Sequence, residues 1–143
     1  MTPARVLVVA EARTWLRTPW HHRARVRGAG VDCGQLLAAV YEAAGVLPHV
    51  ESGTYPRDFM CHRDEERMIS LVLDHAREVA APGPGDIAIW RFGRVYSHAA
   101  IVTDWPRIIH AYAQVGEVVE DNATTNQRLA SRPVRFFSPW GEA

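Results

Sequence analysis

Pro82-Gly83-Pro84-Gly85 ends any regular element that reaches it, because neither residue type sustains a helix or a central strand. The hydrophobic period differs on its two sides. Before it, Val8, Val9, Ala12, Trp15 and Leu16 recur at helical spacing. Cys33, Leu37, Val40, Tyr41 and Ala44 form a second stripe, and Met68, Leu71, Val72, His75 and Val79 a third. After it, the runs 86–92, 97–103, 108–112, 115–120 and 133–137 read as strands. Helices first and strands after define an α+β class, with N-terminal helices packed on a C-terminal antiparallel sheet. The 143 residues suffice for one core, and residues 1–143 show no repeat, low-complexity tract or second domain.

The first helix ends before Pro19, and residues 18–31 form a polar, Arg-rich loop closed by Gly28 and Gly30. The second begins at Asp32, a good N-cap, and stops at Gly45. Residues 46–63 read as loop, and the third helix is expected over 64–79.

Cys33 opens the second helix, on the face that turns toward the core. A thiol there meets the positive end of the helix dipole, which favours the nucleophilic thiolate. The other cysteine, Cys61, lies in a polar loop beside His62 and is expected to be a bystander; two cysteines make no disulfide framework. Acyl transfer by a thiol needs an imidazole to take its proton and a polar group to orient that imidazole. His98 shares a strand face with Ala100 and Val102, and His110 shares one with Ile108 and Tyr112. A hairpin centred near Asp104 or Trp105 sets the two histidines opposite or diagonal, with Cβ atoms roughly 5–8 Å apart. Their parity is expected to bring them to the sheet surface that the Cys33 helix meets. His98 then serves as base and His110 as its orienting partner, and the Cys33 backbone N–H is a candidate oxyanion donor.

Formal net charge is zero, which gives no global field to attract nucleic acid or an acidic membrane. No apolar run approaches the ~18 residues of a membrane span. The N-terminal stretch lacks the apolar core and cleavage site of a secretory signal, so synthesis in the cytoplasm without export by that route is expected. Five arginines and no acid lie between Glu11 and Asp32, a charge pattern able to attract carboxylates. Cys33, Cys61, His62, His98 and His110 offer a zinc-binding alternative, without any of the usual ligand spacings.

In order and spacing, four segments resemble the NlpC-type cell-wall peptidases, which are papain-like cysteine peptidases. They are Asp32-Cys33 at a helix start, Pro84-Gly85-Asp86-Ile87, Ser97-His98-Ala99-Ala100-Ile101-Val102 and Ile109-His110-Ala111. Thr18-Pro19-Trp20-His21-His22 with Arg25-Val26-Arg27-Gly28 resembles the phage-tail and gene-transfer-agent branch. The resemblance spans about residues 4–137 and implies a triad of Cys33, His98 and His110, with Trp20, His22, Asp32 and Ser97 around the substrate. It implies hydrolysis of peptidoglycan stem peptides, usually at the γ-D-glutamyl–diamino acid bond, with no cofactor or metal. Tail proteins would be partners, and a phage-like particle would deliver the chain to the wall. Trp20 stands where many members have a tyrosine, and Cys33-Gly34-Gln35 where many read Cys-Ser-Gly. A catalytically silent tail-assembly protein is the other alternative.

Overall fold

The computed structural model describes residues 1–50 and 67–141. Helix α1 (Pro3–Arg13) starts under the Thr2 cap, whose hydroxyl accepts from the Arg5 N–H, with Pro3 in the first turn. Val8 and Ala12 are buried, as is Trp15 just past the helix end. A short hairpin follows inside the expected loop, β1 (Arg25–Val26) on β2 (Gly30–Val31). Helix α2 (Cys33–Ala43) starts from Asp32, whose carboxylate accepts the Gln35 N–H, and Gly45 lies just beyond its end at φ +75°.

Next come α3 (Arg67–Leu73) and β3 (Arg77–Val79). The start of the helix expected over 64–79 lies outside the described residues. Its far end is corrected: residues 77–79 pair with Phe136–Ser138 as an edge strand. Tertiary pairing here overrides a helical stripe that continued through Val79. The strands after the break are β4 (Ile87–Phe92), β5 (Val95–Asp104), β6 (Arg107–Tyr112), β7 (Glu117–Asn122) and β8 (Val134–Ser138), with a one-turn helix α4 (Gln127–Ala130) before β8. They form one antiparallel sheet in the order β3-β8-β4-β5-β6-β7.

The proline–glycine break ties the two halves together. Asp86 is buried, and its carboxylate takes the Gly83 N–H at 2.8 Å and the Arg5 guanidinium of α1 at 3.0 Å. Arg5 also donates to the Pro84 carbonyl at 2.8 Å. Gly85 sits at φ +86°, and a Cβ there would approach the Trp140 ring to 3.0 Å. The Tyr41 hydroxyl of α2 donates to its carbonyl at 2.5 Å.

The sheet has two apolar faces. Ile87, Ile89, Ala99, Ile101, Ile109 and Ala111 meet α1 and α2 through Val8, Ala12, Leu36, Leu37 and Val40. Ala88, Trp90, Ala100, Val102 and Ile108 form a second core with Leu129 of α4. His98 belongs with the second face: its ring lies 6.0 Å from Trp90 and 5.7 Å from Phe92. This corrects the expectation that both histidines face α2, because strand parity fixes which residues share a face but not which face a helix covers.

Candidate active site at a gap in the sheet

The β5–β6 ladder runs from Asp104–Arg107 to Ile101–Ile109 and stops there. The first half of β5 therefore presents main-chain groups on its β6 side without that strand beside them. The N-terminus of α2 approaches these groups. Cys33 Sγ donates to the Ser97 carbonyl at 3.6 Å, and the N–H groups of Ala99, Gly34 and Cys33 itself are directed at the sulfur. The thiol approaches from the helix side and contacts the backbone on both sides of His98. A bulge contributes to this opening. Trp90 pairs with His98 and Arg91 with Tyr96, which leaves Ser97 as an extra residue in β5.

The imidazoles are held from the other face. His98 Nε2 lies 2.8 Å from His110 Nδ1, and His110 Nε2 lies 3.0 Å from Asp121 Oδ2. Past the ladder's end, the Ile101–Ile109 register places His110 opposite Ala100, so the two histidines are diagonal neighbours. On β7, Asp121 pairs with Ile108 and is diagonal to His110 in the same way. Asp121 also accepts from Asn126 Nδ2 and the Asn122 N–H, both at 2.8 Å.

This chain fixes the tautomers. The His110 hydrogen bond, supported by those from Asn126 and Asn122, holds the Asp121 carboxyl down to about 2. An ionised carboxylate only accepts, so His110 donates from Nε2, and a neutral His110 ring accepts at Nδ1. His98 must then donate from Nε2, which leaves its Nδ1 lone pair free to take a proton. Burial pulls His98 well below its ordinary range, the neighbouring His110 adds to this, and Asp121 opposes it. Cys33 moves the other way. Burial, and next the Asp32 carboxylate, push the thiol up to about 12 against the directed N–H groups. Burial thus opposes the thiolate that the helix terminus favours.

The remaining candidates divide by location. Trp20 is half-buried; it bridges to Val31, and its N–H donates to the Gly116 carbonyl at 2.8 Å. Gly30 permits this wrap, since a Cβ there would come within 2.8 Å of His21 Cβ. Half-buried His22 follows in the same segment. Asp32 and Ser97, expected around the substrate, are buried within the fold. Asp32 caps α2 and accepts the Arg23 N–H at 2.7 Å, and Ser97 offers its carbonyl to the thiol. A Cβ on Gly34 would meet only ordinary contacts, at 3.7 Å from Met68 and 3.9 Å from Asp32. Gln35 accepts from Arg25 at 2.6 Å.

The arginines between Glu11 and Asp32 are largely committed to internal partners. Arg13 pairs with Glu120 and Arg27 with Glu11, while Arg25 also donates to the Val50 carbonyl. Among the described residues, Arg17 and Arg23 form no ion pair, and both have positive φ, at 72° and 63°. Cys61 and His62 lie outside the described residues. Among those described, no three His, Cys, Asp or Glu side chains form a metal-holding group, and no helix is long and apolar enough to cross a membrane.

Nothing in the sequence singles out Asp121. Its only local signal is its place in the polar run Glu120-Asp121-Asn122, which reads as a solvated strand end.

No family model matches this chain, and no curated protein does. Solved structures do. NlpC2 from Trichomonas vaginalis superposes with a TM-score of 0.72 at 14% identity, over 97% of this chain and 47% of that one. The peptidoglycan hydrolase RipB from Mycobacterium tuberculosis gives 0.63 at 17% identity, over 97% and 66%. RipD from the same organism, a non-catalytic NlpC/p60 domain protein described as adapted to peptidoglycan binding, gives 0.60 at 14% identity, over 96% and 98%. This chain thus spans about half the length of NlpC2 and nearly all of RipD. It has the NlpC/p60 fold.

Proposed function

We propose that this chain is a cysteine peptidase that cuts amide bonds in peptidoglycan stem peptides, with Cys33 as nucleophile, His98 as general base and acid, and His110 as orienting residue. The observation that carries the reading is the Asp121–His110–His98 chain, together with a thiol held by the backbone on both sides of His98. His98 Nδ1 takes the Sγ proton as sulfur attacks the carbonyl carbon. The Cys33 N–H is a candidate donor to the developing oxyanion. When the C–N bond breaks, His98 returns its proton to the leaving amine; it then activates water to hydrolyse the thioester. Burial disfavours the charged forms of both Cys33 and His98, so in this reading proton transfer accompanies attack.

The γ-D-glutamyl–diamino acid bond is the preferred target in this reading, and its support is the motif resemblance. The phage-like tail, its proteins as partners and delivery to the wall rest only on the segment Thr18–Gly28. The likeness to RipD supports a second reading, a wall-binding domain without turnover. Mass spectrometry of muropeptides after digestion of purified peptidoglycan separates the two. Wild type should release fragments cut within the stem peptide, insensitive to chelators, and Cys33→Ala should release none. The same fragments from Cys33→Ala would overturn the catalytic assignment. Wall binding without fragments from wild type would support the second reading.

A further inference from the structure

Tyr112 is the last residue of β6. The Ile101–Ile109 register, continued past the end of the ladder, places it across the gap from His98. Its ring stacks on His110 at 4.5 Å and 21°, and lies 5.5 Å from His98. The residue is 6% exposed, and its buried hydroxyl has no hydrogen-bond partner among the described residues. Thr103 Oγ1 and Arg25 Nη1 are the other such atoms among the described residues. Neither matches its situation: Thr103 is the bulged residue near the far end of β5, and Arg25 uses its other nitrogens on Gln35 and Val50.

A phenylalanine ring would pack against the two imidazoles equally well. The hydroxyl therefore costs the free protein its desolvation and returns nothing within the fold. We propose that its partner is the substrate: Tyr112 Oη donates a hydrogen bond to a carbonyl or carboxylate oxygen of the bound peptide, which uncovers the atom on entering the gap. The assignment rests on the peptidase reading above for the identity of the peptide. It makes Tyr112 a substrate-contacting residue with a built-in stability cost, a trade expected at functional sites.

The test compares wild type with Tyr112→Phe and Tyr112→Leu, using a synthetic L-Ala-γ-D-Glu-diaminopimelate peptide. Tyr112→Phe should keep or raise the urea midpoint while kcat/KM falls five- to thirtyfold, with the pH profile unchanged. Calorimetric affinity for the peptide, measured in a Cys33→Ala background, should fall by a similar factor. Tyr112→Leu also removes the ring stacked on His110, so it should lose more turnover and distort the pH profile. Unchanged affinity in Tyr112→Phe, absence of peptide binding in either background, or a lower urea midpoint would overturn the proposal. The last result would show that the hydroxyl has a structural partner. If wild type binds the peptide but never cuts it, the peptidase reading falls and the hydroxyl assignment is judged on affinity alone.

Discussion

The Cys33 thiol and the His98 imidazole flank one gap, yet they are held there by different groups. Cys33 is placed by main chain: the Asp32-capped start of α2, the Ser97 carbonyl and the Ala99 N–H. His98 is placed by side chains, through His110 to Asp121 and on to Asn126. Main-chain placement tolerates changes around it, because Asp32 is the one side chain among the groups named. A side-chain relay breaks wherever one member is removed. The thiol side is thus robust in geometry but poor in charge, and the imidazole side is tuned in charge but fragile in geometry.

The largest expected effect falls on the fragile side. His98→Ala removes the proposed general base and should lower kcat/KM by roughly 10³-fold or more. Asp121→Asn keeps the shape but loses the fixed charge, and Asn can present either an acceptor or a donor to His110. Turnover should fall roughly 10- to 10³-fold by the logic of an unanchored tautomer. The same change should cost about 1–2 kcal/mol at neutral pH, discounted because Asp121 is partly exposed. Steady-state kinetics on a stem peptide and urea unfolding check the two halves. An Asp121→Asn variant with full activity would show that His110 orients His98 unaided.

How far the comparison was legible in the sequence follows the same division. The thiol side is local: Asp32, the helical stripe through Leu37 and Val40, and Gly45 are written within fourteen residues. Parity also paired His98 with His110. What parity omits is long-range. It does not say that α2 lies on the Ala99–Ile101 face, that Ser97 bulges, or that β7 slides Asp121 into reach of His110. Those facts depend on register between strands, and a one-residue slip would rewrite each of them.

Acid sharpens the contrast next. His98 is depressed, so its neutral form is favoured in the fold. Its contribution to stability is complete above the ordinary histidine value of about 6.5 and declines as pH falls below it. Asp121 is depressed to about 2, so its contribution is present above the usual aspartate value and lost as pH falls toward 2. Melting temperature should therefore decline in two stages on acidification. His98→Gln should flatten the first and Asp121→Asn the second. Turnover in wild type should persist below pH 6.5, since His98 remains a base there. On the thiol side, iodoacetamide should label Cys33 slowly at neutral pH and faster up to pH 10 without a plateau, as a group pushed to about 12 requires. A plateau near pH 7 would mean that a thiolate already exists in the free protein.

The smallest effect tests whether the main-chain side carries strain. Arg23 is not glycine, yet it has φ +63°, and its N–H is fixed by Asp32 one residue before the thiol. An L-residue pays about 1 kcal/mol for that conformation, and glycine adopts it freely at the cost of a more flexible unfolded chain. Arg23→Gly should therefore move stability by less than about 1 kcal/mol, in the stabilising direction if relief of strain wins. It also deletes a guanidinium that forms no ion pair among the described residues. If the loop attracts stem-peptide carboxylates, KM should rise a few-fold at low salt and converge with wild type at high salt, with kcat unchanged. Arg23→Gln keeps the strain and loses the charge, so it should reproduce the KM change without the gain in stability. A matching fall in kcat for both variants would mean instead that Arg23 helps hold Asp32, and through it the start of α2, and that one link of the main-chain side is as breakable as the relay.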